Sequence, residues 1–352
     1  MGSFIKSLGF YVPKNVVTNN DLTLYMDTSD EWIQERTGIQ ERRYATRHKE
    51  STVSLAAEAS RIAIERAGIN PNDIDFIIFA TLSPDYFFPG CGVLLQRELG
   101  ITSTECGALD VRNQCSGFIY AMSVAHQFAS SNMYKNILVV GAEVHSMGLD
   151  YTTRGRNVTV IFGDGAGAAI VQPTDKADHG ILATCMHSDG THAEELAFIN
   201  PGCHGGRYGN IEQYGYLDDQ EYGGIFLTQK MLDDGLIFPQ MNGQLVFKHA
   251  VQKMPDAIME VLNKTGHQPS DLKMLIPHQA NLRIASFIQH RLKLRDDQVY
   301  NNIHKYGNTT AASIPIALTE AHEQGLFSSG DLVCLTAFGS GFTWGAVLMR
   351  WA

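Results

Sequence analysis

No apolar run in the sequence approaches the roughly 18 residues that a membrane-spanning helix needs, so no span is expected. Positive charge is also short. The 27 Lys and Arg stand against 37 Asp and Glu, a formal net charge of −10, which argues against a chain-wide attraction to nucleic acid or an anionic membrane. An acidic partner would have to find a local basic patch. Cysteines number only six, at positions 91, 106, 115, 185, 203 and 334. They form neither a dense disulfide framework nor a paired C-x-x-C knuckle, so reduced thiols are expected. Cys185, His187, His192, Cys203 and His204 can be forced into a zinc pattern, but their spacing is irregular and no metal is expected there. The N-terminal stretch MGSFIKSLGFYVPKNV lacks a leader's apolar core and cleavage site, and Lys6 holds the position that myristoylation reserves for Ser or Thr. The expectation is a cytoplasmic protein.

What is present is ordinary globular material: 352 residues, 44% hydrophobic and 18% charged, which excludes disorder, collagen and coiled coil. Its most informative feature is an internal repeat with a period near 195. AGINPNDIDFIIFA (67–80) matches TGHQPSDLKMLIPH (265–278), with Gly68, Pro71 and Asp73 answering to Gly266, Pro269 and Asp271. LLQRELGI (94–101) lines up with FIQHRLKL (287–294), and NILVVGAE (136–143) with DLVCLTAF (331–338). Helical patterns alternate with short apolar strands, as in an α/β protein with buried sheets. An offset of 193 sets Cys115 against Asn308, each where an extended segment gives way to a helix. Two polar side chains at equivalent helix starts would then face a shared centre.

A cysteine at a helix N-terminus feels the positive end of the helix dipole and free N–H groups, so the Cys115 thiolate is expected to be stabilised near neutral pH. His278 follows an apolar strand in LIPHQANLRIASF, at the carboxyl end where open α/β sheets build their sites. Cys, His and Asn together suggest thioester chemistry or hydrolysis. The tracts FGDGAGAA (162–169) and AFGSGFTWGA (337–346) have neither P-loop spacing with its lysine nor a dinucleotide fingerprint. Both read as tight turns, the second lining the site.

DTSDEWIQERTGIQERR (27–43), DVRNQCSGF, IFGDGAGAA, IPHQANLRI, KYGNTTAASIP and AFGSGFTWG, in this order along nearly the whole chain, resemble the beta-ketoacyl-acyl-carrier-protein synthase III family of thiolase-fold condensing enzymes. The resemblance implies an α/β, thiolase-like fold: two pseudo-symmetric βαβαβαββ halves in a layered α/β/α/β/α core. Residues 1–172 would carry the cysteine, and 173–352 the His and Asn, with a long insertion at about 191–243. It also implies a decarboxylating Claisen condensation, an acyltransferase reaction that starts fatty-acid synthesis. Cys115 would take an acyl group from acyl-CoA, and His278 and Asn308 would hold the enolate oxygen formed when malonyl-acyl carrier protein loses CO2. The backbone N–H groups of Cys115 and Ser340 would hold the acyl oxygen.

The same resemblance has Trp32 and Arg156 sandwich the CoA adenine, Arg36 and Asn281 hold the cofactor arm, and Lys248 and Arg283 receive acyl carrier protein. It implies no cofactor and a homodimer, for which the strand NILVVGAE would suit the interface. Departures concern substrate: Asn113 and Gln114 stand where small residues are usual, Ser340 replaces a glycine, Thr336 stands where an acidic residue is common, and 191–243 is longer than the common form. The expected consequence is a primer pocket shifted from acetyl toward longer or unusual acyl groups. A relative in secondary metabolism, a plain acyltransferase, a cysteine hydrolase and a non-catalytic binding protein are the competing readings.

Overall fold

The computed structural model describes residues 1–204 and 226–352. Its main elements are, in chain order, β1 (Gly2–Tyr11), α1 (Asp30–Thr37), α2 (Thr52–Ala67), β2 (Phe76–Ala80), α3 (Cys91–Glu98), β3 (Gly107–Val111), α4 (Gly117–Ser130), β4 (Ile137–Glu143) and β5 (Gly165–Thr174). There follow β6 (Gly180–Ser188), α5 (Gly243–Thr265), β7 (Met274–Pro277), α6 (Leu282–Leu292), α7 (Ser313–Glu323), β8 (Leu332–Gly339) and β9 (Thr343–Arg350). The first sheet has the order β1-β5-β4-β2-β3, the second β7-β8-β9-β6. In each, a parallel part built by helical crossovers is joined to an antiparallel pair (β4 with β5, β8 with β9). The position that answers to β3 in the second half is reduced to a single bridge, Leu275 to Val299. This is the layered thiolase-type core the sequence implies.

The repeat is visible down to its turns. Gly68 and Gly266 are the left-handed C-caps of α2 and α5, at φ 69° and 74°. Beyond each, a proline opens a 3-10 turn in which an aspartate accepts from a backbone N–H three residues back: Asp73 from Asn70 and Asp271 from Gln268, both at 2.7 Å. Glycine caps and prolines at the first helical position recur because each satisfies the same local constraint.

Three apolar clusters fill the layers. One joins α4 and α7 to the facing sides of both sheets through Phe118, Met122, Ile314 and Leu318. A second seats α2 and α3 on the outer side of the first sheet, and a third seats α5 and α6 on the second. β4 is fully buried between β2 and β5, so NILVVGAE does not present an interface strand; the edge strands of the first sheet are β1 and β3. The FGDGAGAA tract is also not a turn throughout, since Gly165 to Ala169 already belong to β5. Its glycines serve close approach: a Cβ on Gly167 would strike Pro315 at 2.6 Å.

Gly141, in the middle of β4, is a clear case of such crowding, because a side chain there would run into the Ala311 carbonyl of the other half. Gly141→Val is therefore expected to destabilise the protein by about 1–3 kcal/mol. A lower midpoint in urea unfolding checks this; an unchanged midpoint would show that the two halves have room to part.

Candidate active site

Two turns meet at the centre of the molecule. Residues Gln114–Ser116 form a 3-10 turn that runs directly into α4, and Thr310–Ala312 form one that runs into α7. The true offset here is therefore 196, which sets Cys115 against Ala311 and leaves Asn308 three residues earlier; the pairing of Cys115 with Asn308 by an offset of 193 is corrected. Each turn opens on a non-glycine residue in the left-handed region, Gln114 at φ 44° and Thr310 at φ 48°. For a β-branched threonine this is uncommon and costs strain.

Cys115, His278, Asn308 and Ser340 all line one cavity of about 290 Å³. Cys115 is buried, and the backbone N–H groups of Cys115 itself and of Ser340 face its sulfur and favour the thiolate. Burial and the neighbouring Glu143 carboxylate oppose it and prevail, pushing the thiol up to about 12. The expectation of a standing thiolate near neutral pH is thus overturned: the positive end of a helix does not offset desolvation this complete. Gly339 lies so close that a Cβ there would meet the Cys115 sulfur at 3.0 Å. That glycine is what lets the 339–343 turn pass over the cysteine.

His278 leaves the end of β7, and its Nδ1 pairs with Ser313 Oγ at 2.6 Å. Ser313 Oγ also accepts from the Gln279 N–H at 3.4 Å. When the Ser313 hydroxyl donates to Nδ1, the imidazole hydrogen stands on Nε2. Nε2 is buried and has no partner among the described residues, so in that tautomer it is a donor held ready for a ligand. Burial pulls the His278 pKa down to about 3, keeping the ring neutral. Asn308 is held by its backbone, which donates to Ile161 and accepts from Gly163, while its Oδ1 accepts from the Thr310 N–H at 2.8 Å. That fixes the carboxamide and leaves Nδ2 as a second donor without a partner among the described residues.

The remaining sequence candidates lie around the mouth. Ser29 caps α1 by accepting from the Trp32 N–H, and Gly38 ends the helix in the left-handed region. The guanidiniums of Arg36 and Arg156 lie 4.5 and 4.7 Å from the Trp32 ring centre. The expected trio is together, but no purine fits between Trp32 and Arg156 until that arginine swings aside. Asn281 lines the cavity, yet its side chain is committed within the protein, donating to the Arg36 carbonyl and accepting from the Arg283 N–H at 2.9 Å each. Lys248 on α5 and Arg283 on α6 are exposed outside the cavity, and Arg283 donates to the Glu35 carbonyl. Thr336 stands buried in β8, its hydroxyl satisfied by the Gly345 carbonyl.

The long 191–243 segment enters the site from its described ends. Leu196–Ala197 pair with Gln240–Met241, and Leu196, Phe198, Pro239 and Met241 line the cavity; residues 205–225 lie outside the described residues. Ser340 Oγ donates to the Leu196 carbonyl, tying the segment to the turn over Cys115. The cysteines and histidines of 185–204 do not converge. His192 packs on His249 and Phe342, and His204 bonds Asn200. Cys185 and His187 offer ligand atoms within 4.8 Å of Glu260, whose carboxylate is already bonded by His187 and Lys264.

Sequence reasoning missed Ser313 and Glu143. Glu143 is fully buried and accepts from Thr81, Leu82, Ser83 and Ala311, so it clips the ends of β2 and β4 to the start of the second turn. Burial raises it to about 7. No periodicity marks either residue. Gly339 was detectable, as a glycine at a strand end in a glycine-rich tract.

Comparison with known proteins bears on this geometry. Residues 109–190 match the family described as 3-oxoacyl-[acyl-carrier-protein (ACP)] synthase III, and 262–351 match its C-terminal region. The beta-ketoacyl-[acyl-carrier-protein] synthase III of Sulfurovum sp. (strain NBC37-1) is 41% identical over 348 residues, covering 99% of this chain and 95% of the relative. The crystal structure of the Aquifex aeolicus VF5 3-oxoacyl-[acyl-carrier-protein] synthase III superposes with a TM-score of 0.86 at 40% identity, over 99% of this chain and 100% of that one. The priming beta-ketosynthase of the R1128 polyketide biosynthetic pathway does so at 0.84 and 30% identity, covering 99% and 96%. The order of its motifs, its layered core and a full-length likeness above 40% identity make this chain a member of the beta-ketoacyl-[acyl-carrier-protein] synthase III family, condensing enzymes of the acyltransferase class.

Proposed function

We infer that the protein joins an acyl-CoA primer to malonyl-acyl carrier protein through an acyl-Cys115 intermediate. The observation that carries this reading is the convergence on one cavity of a buried thiol and two side-chain nitrogens, His278 Nε2 and Asn308 Nδ2, that have no partner among the described residues. A hydrolase would need a way to admit and activate water at the acyl-enzyme; an oxygen held by two neutral donors suits an enolate instead.

In the first stage the Cys115 sulfur attacks the acyl thioester, a new C–S bond forms, and the thiol proton ends on the departing CoA sulfur. Because burial disfavours a standing thiolate, proton loss accompanies attack. The acyl oxygen becomes an oxyanion that the backbone N–H groups of Cys115 and Ser340 stabilise. In the second stage the C–C bond to the malonyl carboxylate breaks and CO2 leaves. The electron pair passes to an enolate whose oxygen accepts from His278 and Asn308. The enolate carbon attacks the acyl carbonyl, a C–C bond forms, the C–S bond to Cys115 breaks, and the departing thiolate takes a proton from solvent to restore the thiol. No step calls for a metal or redox cofactor.

Trp32, Arg36 and Arg156 would bind the nucleotide end of CoA by stacking and charge, and Lys248 and Arg283 the acidic carrier protein. We assign the site of action to the cytoplasm; among the described residues no helix is long and apolar enough to cross a membrane. The functional form is a homodimer. Tyr86, Phe87, Phe88 and Val93 are exposed next to the free edge of β3, which presents Leu109. An edge strand with apolar neighbours is a surface that a second copy covers. A priming role in secondary metabolism is the second reading; the R1128 priming ketosynthase shares the fold at 30% identity, and Gln114 stands beside the nucleophile.

Three expectations follow from these assignments. Intact-protein mass spectrometry after incubation with acyl-CoA should find an adduct on Cys115 that malonyl-acyl carrier protein discharges as a 3-oxoacyl product. Cys115→Ser should give no adduct, whereas His278→Ala and Asn308→Ala should still acylate but decarboxylate malonyl thioester about 100-fold more slowly or worse. Adduct on the serine variant, or decarboxylation at the wild-type rate in the others, would sink the assignment.

The pH profile carries its own sign. His278 is held neutral because its pKa is depressed to about 3, so decarboxylation should show no histidine inflection between pH 5.5 and 8. Alkylation of free Cys115 by iodoacetamide should keep rising through pH 9, since the thiol is pushed up. A plateau by pH 7 would contradict the burial argument. For the dimer, Phe88→Asp should shift the mass measured by light scattering toward the monomer; an unchanged mass would place the interface elsewhere.

A further inference from the structure

The cavity is lined by one buried histidine to which the reaction above gives no role. His145 follows β4 and lines the same cavity as Cys115, among Leu82, Leu149, Ile161 and Phe162. The residue is fixed from three sides. Its backbone N–H donates to Asp164 Oδ1 at 2.7 Å, its Nε2 pairs with Thr310 Oγ1 at 2.7 Å, and its ring packs on Phe162 with 4.6 Å between centres. Thr310 in turn donates its N–H to the Asn308 side chain. Nδ1 makes no hydrogen bond to any described residue. A ring clamped this way cannot turn elsewhere to satisfy that nitrogen, so an apolar acyl chain packed against it would leave a desolvated polar atom unpaired.

We propose, on the reading of the reaction given above, that His145 is a specificity-determining residue and that the preferred primer is an acyl group bearing a neutral oxygen function, a hydroxyl or a carbonyl, which bonds His145 Nδ1. The chemistry of the ring selects this class over its neighbours. Burial holds the imidazole neutral, with its pKa drawn down to about 3. Among the described lining residues only Arg112 is cationic, and it is exposed. A carboxylate on the primer would therefore enter the pocket without a counter-charge. A hydroxyl or carbonyl needs none. The Thr310 hydroxyl can either donate to Nε2 or accept from it, so Nδ1 can be offered as donor or acceptor.

The test uses the full-length enzyme, malonyl-acyl carrier protein and acyl-CoA thioesters bearing a hydroxyl at successive chain positions. Each is paired with the unsubstituted thioester of the same length. The quantity read is the ratio of kcat/KM within a pair, which general damage to the protein leaves unchanged. The wild-type ratio is expected to exceed one by about 3- to 10-fold at the position that reaches Nδ1. His145→Leu should bring it to one or below. A wild-type ratio of one or less at every position overturns the proposal without any variant, and so does a preference that His145→Leu leaves in place. In both of those results the Cys115 adduct still forms and condenses with unsubstituted primers. Loss of the adduct with every primer is the separate result that overturns the reaction itself, and the primer preference with it.

Discussion

The site exists because the two halves of the chain come closer than ordinary side chains permit. Gly117 packs against Ala80 and Ala311, Gly141 against the Ala311 carbonyl, and Gly167 against Pro315. Along this seam α4 and α7 lie between the sheets, and the turns that start them meet. Every catalytic atom is referred to that meeting. Cys115 is in one turn, Asn308 leads into the other, and Ser313, which orients His278, is the first residue of α7. A bulky residue on the seam would move the site's two halves apart while leaving each half intact.

The environment made by that contact is dry, and dryness sets the chemistry. The thiol, two histidines and two carboxylates near the centre are all displaced toward their neutral forms. A site of neutral donors in a low dielectric interacts weakly with neutral ground states and strongly with an oxyanion when one forms. The left-handed Gln114 and Thr310 belong to the same economy of construction. Each bends the chain so that the next residues present their N–H groups inward, at a conformational cost that the surrounding packing sustains.

Much of this was legible in the sequence, for identifiable reasons. Gly68 and Gly266, Pro71 and Pro269, and Asp73 and Asp271 are turn chemistry, which is local, so the repeat and the α/β alternation survived intact. His278 could be placed because it ends an apolar strand. The register of the central turns was misjudged by three residues, since nothing between the strands fixes it except contact with the other half. The protonation of Cys115 was misjudged because helix position is readable from sequence and burial is not. Ser313, Glu143 and His145 owe their roles to partners 35, 60 to 62 and 165 residues away, and no spacing rule reaches that far. NILVVGAE looked like an interface because it is apolar, but a central strand is apolar for the opposite reason.

The hydrogen bond from Ser340 to the Leu196 carbonyl joins two parts of the enzyme that selection would otherwise treat separately. The 339–343 turn carries the amide proposed to hold the reacting oxygen, and Leu196 begins the segment that lines the same cavity. A change in the segment that accommodates a new acyl chain will pull on the turn, and so on the rate for every chain. In a lineage drifting toward new primers, substitutions in the segment and in the turn should therefore be inherited together, and a segment transplanted without its turn should arrive with broadened specificity and slow chemistry.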